Sequence, residues 1–200
     1  MSKSLVLLSG GVDSTVVLYS LLRIHNVETF SIDYGQRHVK ELKYAKSLCE
    51  VLNVPHTIYN LGSTLTGSSL TSKESVPSPV DVQTSTVVPN RNMVMLSLAT
   101  SYAIVNSFDY VYIGCNLGDS HVYPDCRNDF LFSLRKSILL STENKIELRY
   151  PLIGMSKQEV IEYGKRLKVP FDKTWSCYNG LSEPCNNCFP CKQRQDYGIP

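Results

Sequence analysis

No stretch of this 200-residue sequence is apolar for long enough to cross a bilayer, and the early run Leu5-Val6-Leu7-Leu8 is too short for the core of a secretory leader. A cytoplasmic protein without a membrane is expected. Charge of one sign is not in excess either. The 20 Lys and Arg stand against 18 Asp and Glu, a net of +2, so composition shows no basic surface for nucleic acid. There is no internal repeat, no G-x-G-x-x-G fingerprint, and no Gly-Lys-[Ser/Thr] to complete a Walker loop. What is present, 42% hydrophobic and 19% charged residues, suffices for one full core, alone or with a small appendage.

Short apolar runs alternate with helical stripes. Leu5–Leu8, Thr29–Ile32, His56–Tyr59, Tyr110–Ile113 and Ile146–Tyr150 read as strands. Helices are predicted from Val16, from His38 to Leu52, from Asn92 to Val105 and from Asn128 to Leu140. A last one opens on the capping box Ser156-Lys-Gln-Glu159 and ends near Leu167. Alternation of this kind indicates an α/β protein with a doubly wound parallel sheet. Residues 61–87, rich in Ser and Thr with Pro77 and Pro79, break the pattern and read as a lid or a disordered segment.

Between the first strand and the first helix stands Ser9-Gly10-Gly11-Val12-Asp13-Ser14. Glycines let the main chain approach phosphate oxygens, and open N–H groups at a helix N-terminus attract them. Ser9 and Ser14 add hydroxyl donors; Asp13 can cap the helix or hold Mg²⁺. Two glycines alone would equally suit a plain strand-to-helix turn. The full string is similar to the PP-loop of the ATP pyrophosphatases, which cleave ATP between its α and β phosphates.

Four of the seven cysteines crowd near the end, Cys177, Cys185, Cys188 and Cys191, spaced C-x7-C-x2-C-x2-C. Gaps of two let successive sulfurs converge on one ion at about 2.3 Å, and four thiolates make a closed, structural zinc site. Two disulfides, free thiols or an iron–sulfur cluster are the competing readings. The expected compartment disfavours the first, and the bacterial ferredoxin run is not matched. Cys49, Cys115 and Cys126 fall outside the ligand set.

Other constellations sit where strands end. The backbone of Asp33-Tyr34-Gly35-Gln36-Arg37-His38 can read adenine, and Arg37 or His38 can meet phosphate or carboxylate; a loop with a helix cap is the bland alternative. Arg91 in Pro89-Asn90-Arg91-Asn92 is a phosphate clamp or a surface charge. In Tyr123-Pro124-Asp125-Cys126-Arg127, Asp125 can accept the adjacent N1–H and 2-amino hydrogens of a guanine-like base, and Arg127 can pair with a carboxylate. Lys157, opening a helix, can reach phosphates.

These segments, with Pro151-Leu152 and Thr174-Trp-Ser-Cys-Tyr178, together resemble the 7-cyano-7-deazaguanine synthases, in that family's order from residue 8 to residue 191. The glycine loop marks only the superfamily; Tyr-Pro-Asp-Cys-Arg with the four-cysteine tail is more specific. The resemblance implies a PP-loop ATP pyrophosphatase domain, like the adenine nucleotide alpha hydrolases, over residues 1–170 and a zinc-binding segment over 171–200. It implies a ligase that uses ATP and ammonia to turn 7-carboxy-7-deazaguanine into the nitrile. Adenylated acid and amide intermediates are expected, with AMP and pyrophosphate released, for queuosine or archaeosine in tRNA or for deazaguanine bases in some viral DNA. Ser9, Asp13, Ser14 and Arg91 would be catalytic. Leu8, Ser9, Gly10, Gly11, Val12, Asp13, Ser14, Thr15, Asp33, Tyr34, Gly35 and Lys157 would hold ATP with Mg²⁺. Gln36, Arg37, His38, Tyr123, Asp125 and Arg127 would hold the base, and the four cysteines Zn²⁺. A homodimer acting on small molecules, without direct nucleic-acid contact, is expected.

Two departures stand out. Leu117-Gly-Asp-Ser-His-Val122 differs from the family pattern, and only nine residues follow Cys191, which puts a final helix in doubt. Rival readings are another PP-loop enzyme, such as a tRNA thiolase or an ammonia-dependent amidase, and a zinc-ribbon nucleic-acid module. A thiolase would want a reactive cysteine pair, and none is evident outside the zinc set. A ribbon binder should be basic, and this chain is nearly neutral.

Overall fold

The computed structural model describes residues 2–72 and 83–200. Five strands form one wholly parallel sheet: β1 (Lys3–Leu7), β2 (Asn26–Asp33), β3 (His56–Asn60), β4 (Tyr110–Tyr112) and β5 (Glu147–Arg149), in the order β3-β2-β1-β4-β5. The connections run through α1 (Val12–Leu21), α2 (Lys40–Leu52), α3 (Arg91–Val105) and α5 (Asn128–Ser141), with a short α4 (Asp119–Val122) after β4. Then come α6 (Lys157–Arg166) and α7 (Phe189–Asp196).

Alternation along a strand divides the core into two layers. Leu5 on β1 faces Leu96 and Ala99 of α3 and Leu131 of α5. Its neighbour Val6 faces Val16 and Leu18 of α1, Ala45 of α2 and Ile161 of α6. Both faces of β1 are covered, so the strand reads as an unbroken apolar run. Because β1 is followed by β2 on one side and by β4 on the other, the strand order reverses beside it. A crevice opens there past the carboxyl ends of the strands, where doubly wound sheets bind ligands.

The capping box of α6 is formed: the Glu159 carboxylate accepts the Ser156 N–H at 2.7 Å, and the Ser156 hydroxyl accepts the Glu159 N–H at 3.3 Å. It fixes Lys157 at the first helical position. Two expectations need correction. A final helix, α7, is present; it starts just after Cys188 and carries Cys191. And the segment expected to be a lid or disordered is ordered at both ends. Leu70 is 1% and Val88 3% exposed, and Ser68 and Ser69 both bond to the Ser85 carbonyl. Hydroxyl side chains closing backbone bonds give no periodicity, so these turns resemble disorder in sequence. Pro77 and Pro79 lie outside the described residues. Among the described residues, no helix is long and apolar enough to cross a membrane.

Candidate active site

The loop between β1 and α1 is shaped by its own hydroxyls. Ser9 Oγ and Ser14 Oγ lie 3.1 Å apart, the Ser9 N–H reaches Ser14 Oγ at 3.2 Å, and the Gly11 N–H reaches Ser9 Oγ at 3.1 Å. Gly10 is left-handed, with φ +90°, and a Cβ there would lie 2.2 Å from the Glu41 carbonyl oxygen. At Gly114, just beyond β4, a Cβ would lie 2.8 Å from the Ser14 nitrogen. The start of α1 is thus wedged between α2 and β4, with its unpaired first-turn N–H groups at the crevice.

A cavity of about 280 Å³ fills that crevice. Arg91 enters from the first turn of α3, which begins after left-handed Asn90. Burial opposes its charge, yet Tyr34, Cys126 and Asp125 around it hold its pKa above the ordinary value. From the α6 side, Lys157 Nζ sits 2.7 and 2.9 Å from the two carboxylate oxygens of Asp13. Asp119 lines the same wall; burial, then the charge of Asp13, raises its pKa to about 6. Glu41 and His38 form a further pair, His38 Nε2 standing 3.4 Å from Glu41 Oε1. Burial pushes Glu41 up to about 8 and His38 down to about 3, so both move toward neutrality and the contact is not an ion pair.

Of the residues singled out in the sequence, Leu8, Ser9, Gly11, Val12, Asp13 and Ser14 line this cavity. So do Tyr34, His38, Arg91, Tyr123 and Lys157. Others do not. Gly10 and Thr15 support the loop from behind, Thr15 Oγ1 donating to the Gly11 carbonyl at 2.8 Å. Asp33 accepts the Gly35 N–H at 3.1 Å, and Gln36 spans the Tyr34 N–H and the Ile32 carbonyl. Arg37 reaches the Ser69 carbonyl, and Arg127 the Ser120 carbonyl. Asp125 is turned toward α3: its Oδ2 accepts the Asn92 N–H at 2.8 Å while the Asn92 amide donates to the Asp125 carbonyl at 3.1 Å. It caps α3 from another element. Asp125→Ala should therefore cost about 1–3 kcal/mol, because a buried N–H loses its acceptor. A urea midpoint equal to wild type would remove that role.

Glu41 and Asp119 line the cavity without having been assigned a role, as do Trp175 and Tyr178, which entered only through the segment that carries the resemblance. Glu41 falls three residues after His38 on the first turn of α2, a spacing that places the two side by side. Asp119 lies within the stretch that departs from the family pattern.

The four cysteines converge. Their sulfurs all lie within 4.8 Å of one another, and the Cys185 and Cys188 N–H groups each point at a sulfur, at 3.3 Å. Cys188 donates to Cys177, which lowers the Cys177 pKa and raises that of Cys188. The four sulfurs together form a donor set fit for a metal ion.

This tail is built into the site. The Trp175 N–H bonds the Gly10 carbonyl at 2.9 Å, Tyr178 OH lies 3.1 Å from Tyr123 OH, and left-handed Gly180 packs on the Arg37 carbonyl. Arg194 of α7 donates to Thr174, to Ser176 and to the Phe171 carbonyl. Cys115 and Cys126 also meet at the cavity wall, a pair not evident from the sequence. Their mutual hydrogen bond, then burial, pushes the Cys115 thiol up, which makes it a poor nucleophile.

The family profile of queuosine biosynthesis protein QueC matches residues 3–197. A 7-cyano-7-deazaguanine synthase of Caldicellulosiruptor saccharolyticus is 43% identical, the match covering 96% of this chain and 88% of that protein. One from Archaeoglobus fulgidus is 37% identical, over 97% and 84%. Among solved structures, the U34-tRNA thiolase NcsA of Methanococcus maripaludis with its [4Fe-4S] cluster aligns at TM-score 0.58 and 19% identity, over 98% of this chain and 67% of that one. The NH3-dependent NAD synthetase of Campylobacter jejuni aligns at TM-score 0.52 and 18% identity, over 86% and 66%. At such identities these two establish a shared fold alone.

Proposed function

This chain belongs to the family of queuosine biosynthesis protein QueC and is an enzyme, and on that premise we propose that it converts 7-carboxy-7-deazaguanine to the nitrile in two ATP-dependent half-reactions. The observation that carries the reading is the glycine loop at the switch point, facing Arg91 and Lys157 across one cavity. A carboxylate oxygen is a poor leaving group. Transfer of AMP to it, with pyrophosphate departing, replaces it with a good one. The open N–H groups of α1 and the Lys157 and Arg91 cations are suited to hold the charge that builds on the phosphates. Ammonia then displaces AMP to give the amide. The amide oxygen takes a second AMP, and loss of protons from nitrogen with departure of AMP leaves the nitrile.

Asp13 and Asp119 fit a Mg²⁺ ion. They are close enough for one to raise the other's pKa, and Mg²⁺ takes one or two carboxylates together with substrate phosphates. Bound there, it would neutralise phosphate charge, while Lys157 exchanges Asp13 for phosphate. The cysteine set fits a single zinc ion. Sulfurs around one tetrahedral zinc stand about 3.8 Å apart, and the 4.0 Å between Cys185 and Cys191 is close to that. A cubane cluster, with one iron per thiolate, spreads them wider. The raised thiol of Cys115 speaks against a thiolase that works through this pair.

Incubation with the acid, ATP and ammonium, read by mass spectrometry and nucleotide analysis, tests the reading. Nitrile, pyrophosphate and one AMP per half-reaction are expected, with the amide transient and itself convertible without ammonia. ADP as product, or an amide that goes no further, would overturn it.

A further inference from the structure

The reaction needs a step for which the loop, Arg91 and Lys157 are unsuited. Ammonia enters as ammonium at neutral pH, and ammonium has no lone pair. Some group must take its proton inside a cavity whose Lys and Arg side chains repel it. Glu41 and His38 are the lining groups left without a task.

Their placement is specific. Glu41 stands on the first turn of α2, and the same turn touches the glycine loop, since its carbonyl oxygen lies where a Gly10 Cβ would be. Its side chain is 13% exposed and lines the cavity. Gln36 Nε2 lies 3.4 Å from Glu41 Oε1 and His38 Nε2 lies 3.4 Å from the same atom, so one carboxylate oxygen is held from two sides. With a proton on Nε2, His38 keeps Nδ1 as an acceptor, and that buried atom has no donor. A carboxylate held at one oxygen on the cavity wall is an acceptor suited to a small N–H cation.

We propose that Glu41, positioned by His38 and Gln36, receives ammonium at the cavity wall and removes its proton. The assignment rests on the reaction proposed above. Ammonium gives one proton to the Glu41 carboxylate. The freed lone pair forms the C–N bond to the adenylated carboxyl carbon, the C–O bond to AMP breaks, and AMP leaves with that electron pair. The surplus proton on the new amide nitrogen passes to water, as does the proton held by Glu41 before the next cycle.

The electrostatics suit the task. Arg91 faces Glu41 and His38 from α3, Arg37 faces His38 from its own loop, and the Tyr34 and Tyr178 rings lie 6.5 and 5.8 Å from the His38 ring. Burial, and then both arginines, disfavour a charged imidazole, so His38 stays neutral. Burial raises Glu41 to about 8, so the ionised fraction that takes the proton grows toward pH 8, and its basicity lies closer to that of ammonia than an ordinary carboxylate's, which reduces the uphill cost of the transfer.

Two assays on wild type and Glu41→Gln decide it. Exchange of labelled pyrophosphate into ATP, dependent on the deazaguanine acid, reports adenylation without ammonia; amide formation from ammonium chloride reports the nitrogen step. In Glu41→Gln, amide formation should fall about 100-fold at neutral pH. That loss should exceed the change in exchange by at least about tenfold, and should shrink as alkali supplies free ammonia. Equal losses in both assays, or amide formation with a wild-type rate and pH profile, would overturn the assignment. Should the variant not fold, wild type still answers. Its KM in total ammonium should fall as Glu41 ionises and then stay nearly constant between about pH 8 and about pH 9; a fall that continues severalfold across that unit would mean that free ammonia is taken instead, and would overturn it. Wild type without any exchange would refute the underlying reaction, an outcome distinct from either.

Discussion

Cys188→Ser, or wild type stripped by a strong chelator, is expected to lose its metal, the order of its tail and its activity together. A closed four-thiolate site has no preformed counterpart in the unfolded chain, so metal-binding energy is folding energy, on the order of 10–16 kcal/mol for structural zinc in small peptides. Here that energy anchors more than a ribbon. Trp175 bonds the glycine loop, Tyr178 reaches Tyr123, and the turn at Gly180 rests on the Arg37 carbonyl. When the cysteines part, the cavity loses one wall and Gly10 loses the N–H that holds its carbonyl. A shift of about 1 Å in a loop that positions phosphates costs on the order of 100-fold in rate. Metal content by atomic absorption, thermal melting and acid-dependent pyrophosphate exchange, run on the same samples, check this. A metal-free protein that melts like wild type would sink the claim about stability, and one that exchanges like wild type would sink the claim that the tail supports the site.

That dependence could not be read from the sequence, and the reason is physical. What was legible was local. The strands stood out as apolar runs because both faces of a parallel sheet are covered, as at Leu5 and Val6. The α6 boundary was visible because a capping box is a bond between residues three apart. The cysteine spacing was visible for the same reason. Contacts between distant segments leave no such trace. Glu41 was not singled out, because only the fold brings its turn against the loop. Asp125 sat in a recognised motif, but its capping of α3 joins segments 33 residues apart. Gln36 and Arg37, expected near a ligand, turn into the backbone around them, because a tight loop consumes the polar groups nearest to it. Cys115 and Cys126 meet only once β4 and the turn after α4 are packed together. The reaction itself was legible only through resemblance: a glycine loop speaks of phosphate, not of deazaguanine.

Gly10→Ala and Gly11→Ala, adjacent and chemically identical changes, are expected to differ sharply. Gly10 has φ +90°, a conformation in which an L side chain is strained, and its new Cβ would lie 2.2 Å from the Glu41 carbonyl oxygen and 3.0 Å from the Ala45 nitrogen. Both neighbours are backbone atoms of α2, so no side chain can swing aside. Either the helix retreats or the loop does. The strain alone costs about 1–3 kcal/mol, and displacement of α2 from the core adds to it. Retreat of the loop also moves the hydroxyls of Ser9 and Ser14 and the first N–H groups of α1 away from the phosphates, so pyrophosphate exchange should fall by about 100-fold or more. Gly11 lies at φ −81°, which any residue adopts, and its Cβ would meet only Ser9 Oγ at 3.2 Å and the Trp175 carbonyl oxygen at 3.6 Å. The first is the end of a side chain that can shift by a few tenths of an ångström, so the loss in stability should stay under about 1 kcal/mol. Thermal melts and exchange rates measured side by side give the order. If Gly11→Ala proves the more damaging, or the two are alike, then α2 does not press on the loop as tightly as the contact at Gly10 requires, and Glu41 would lose its close approach to the loop with it.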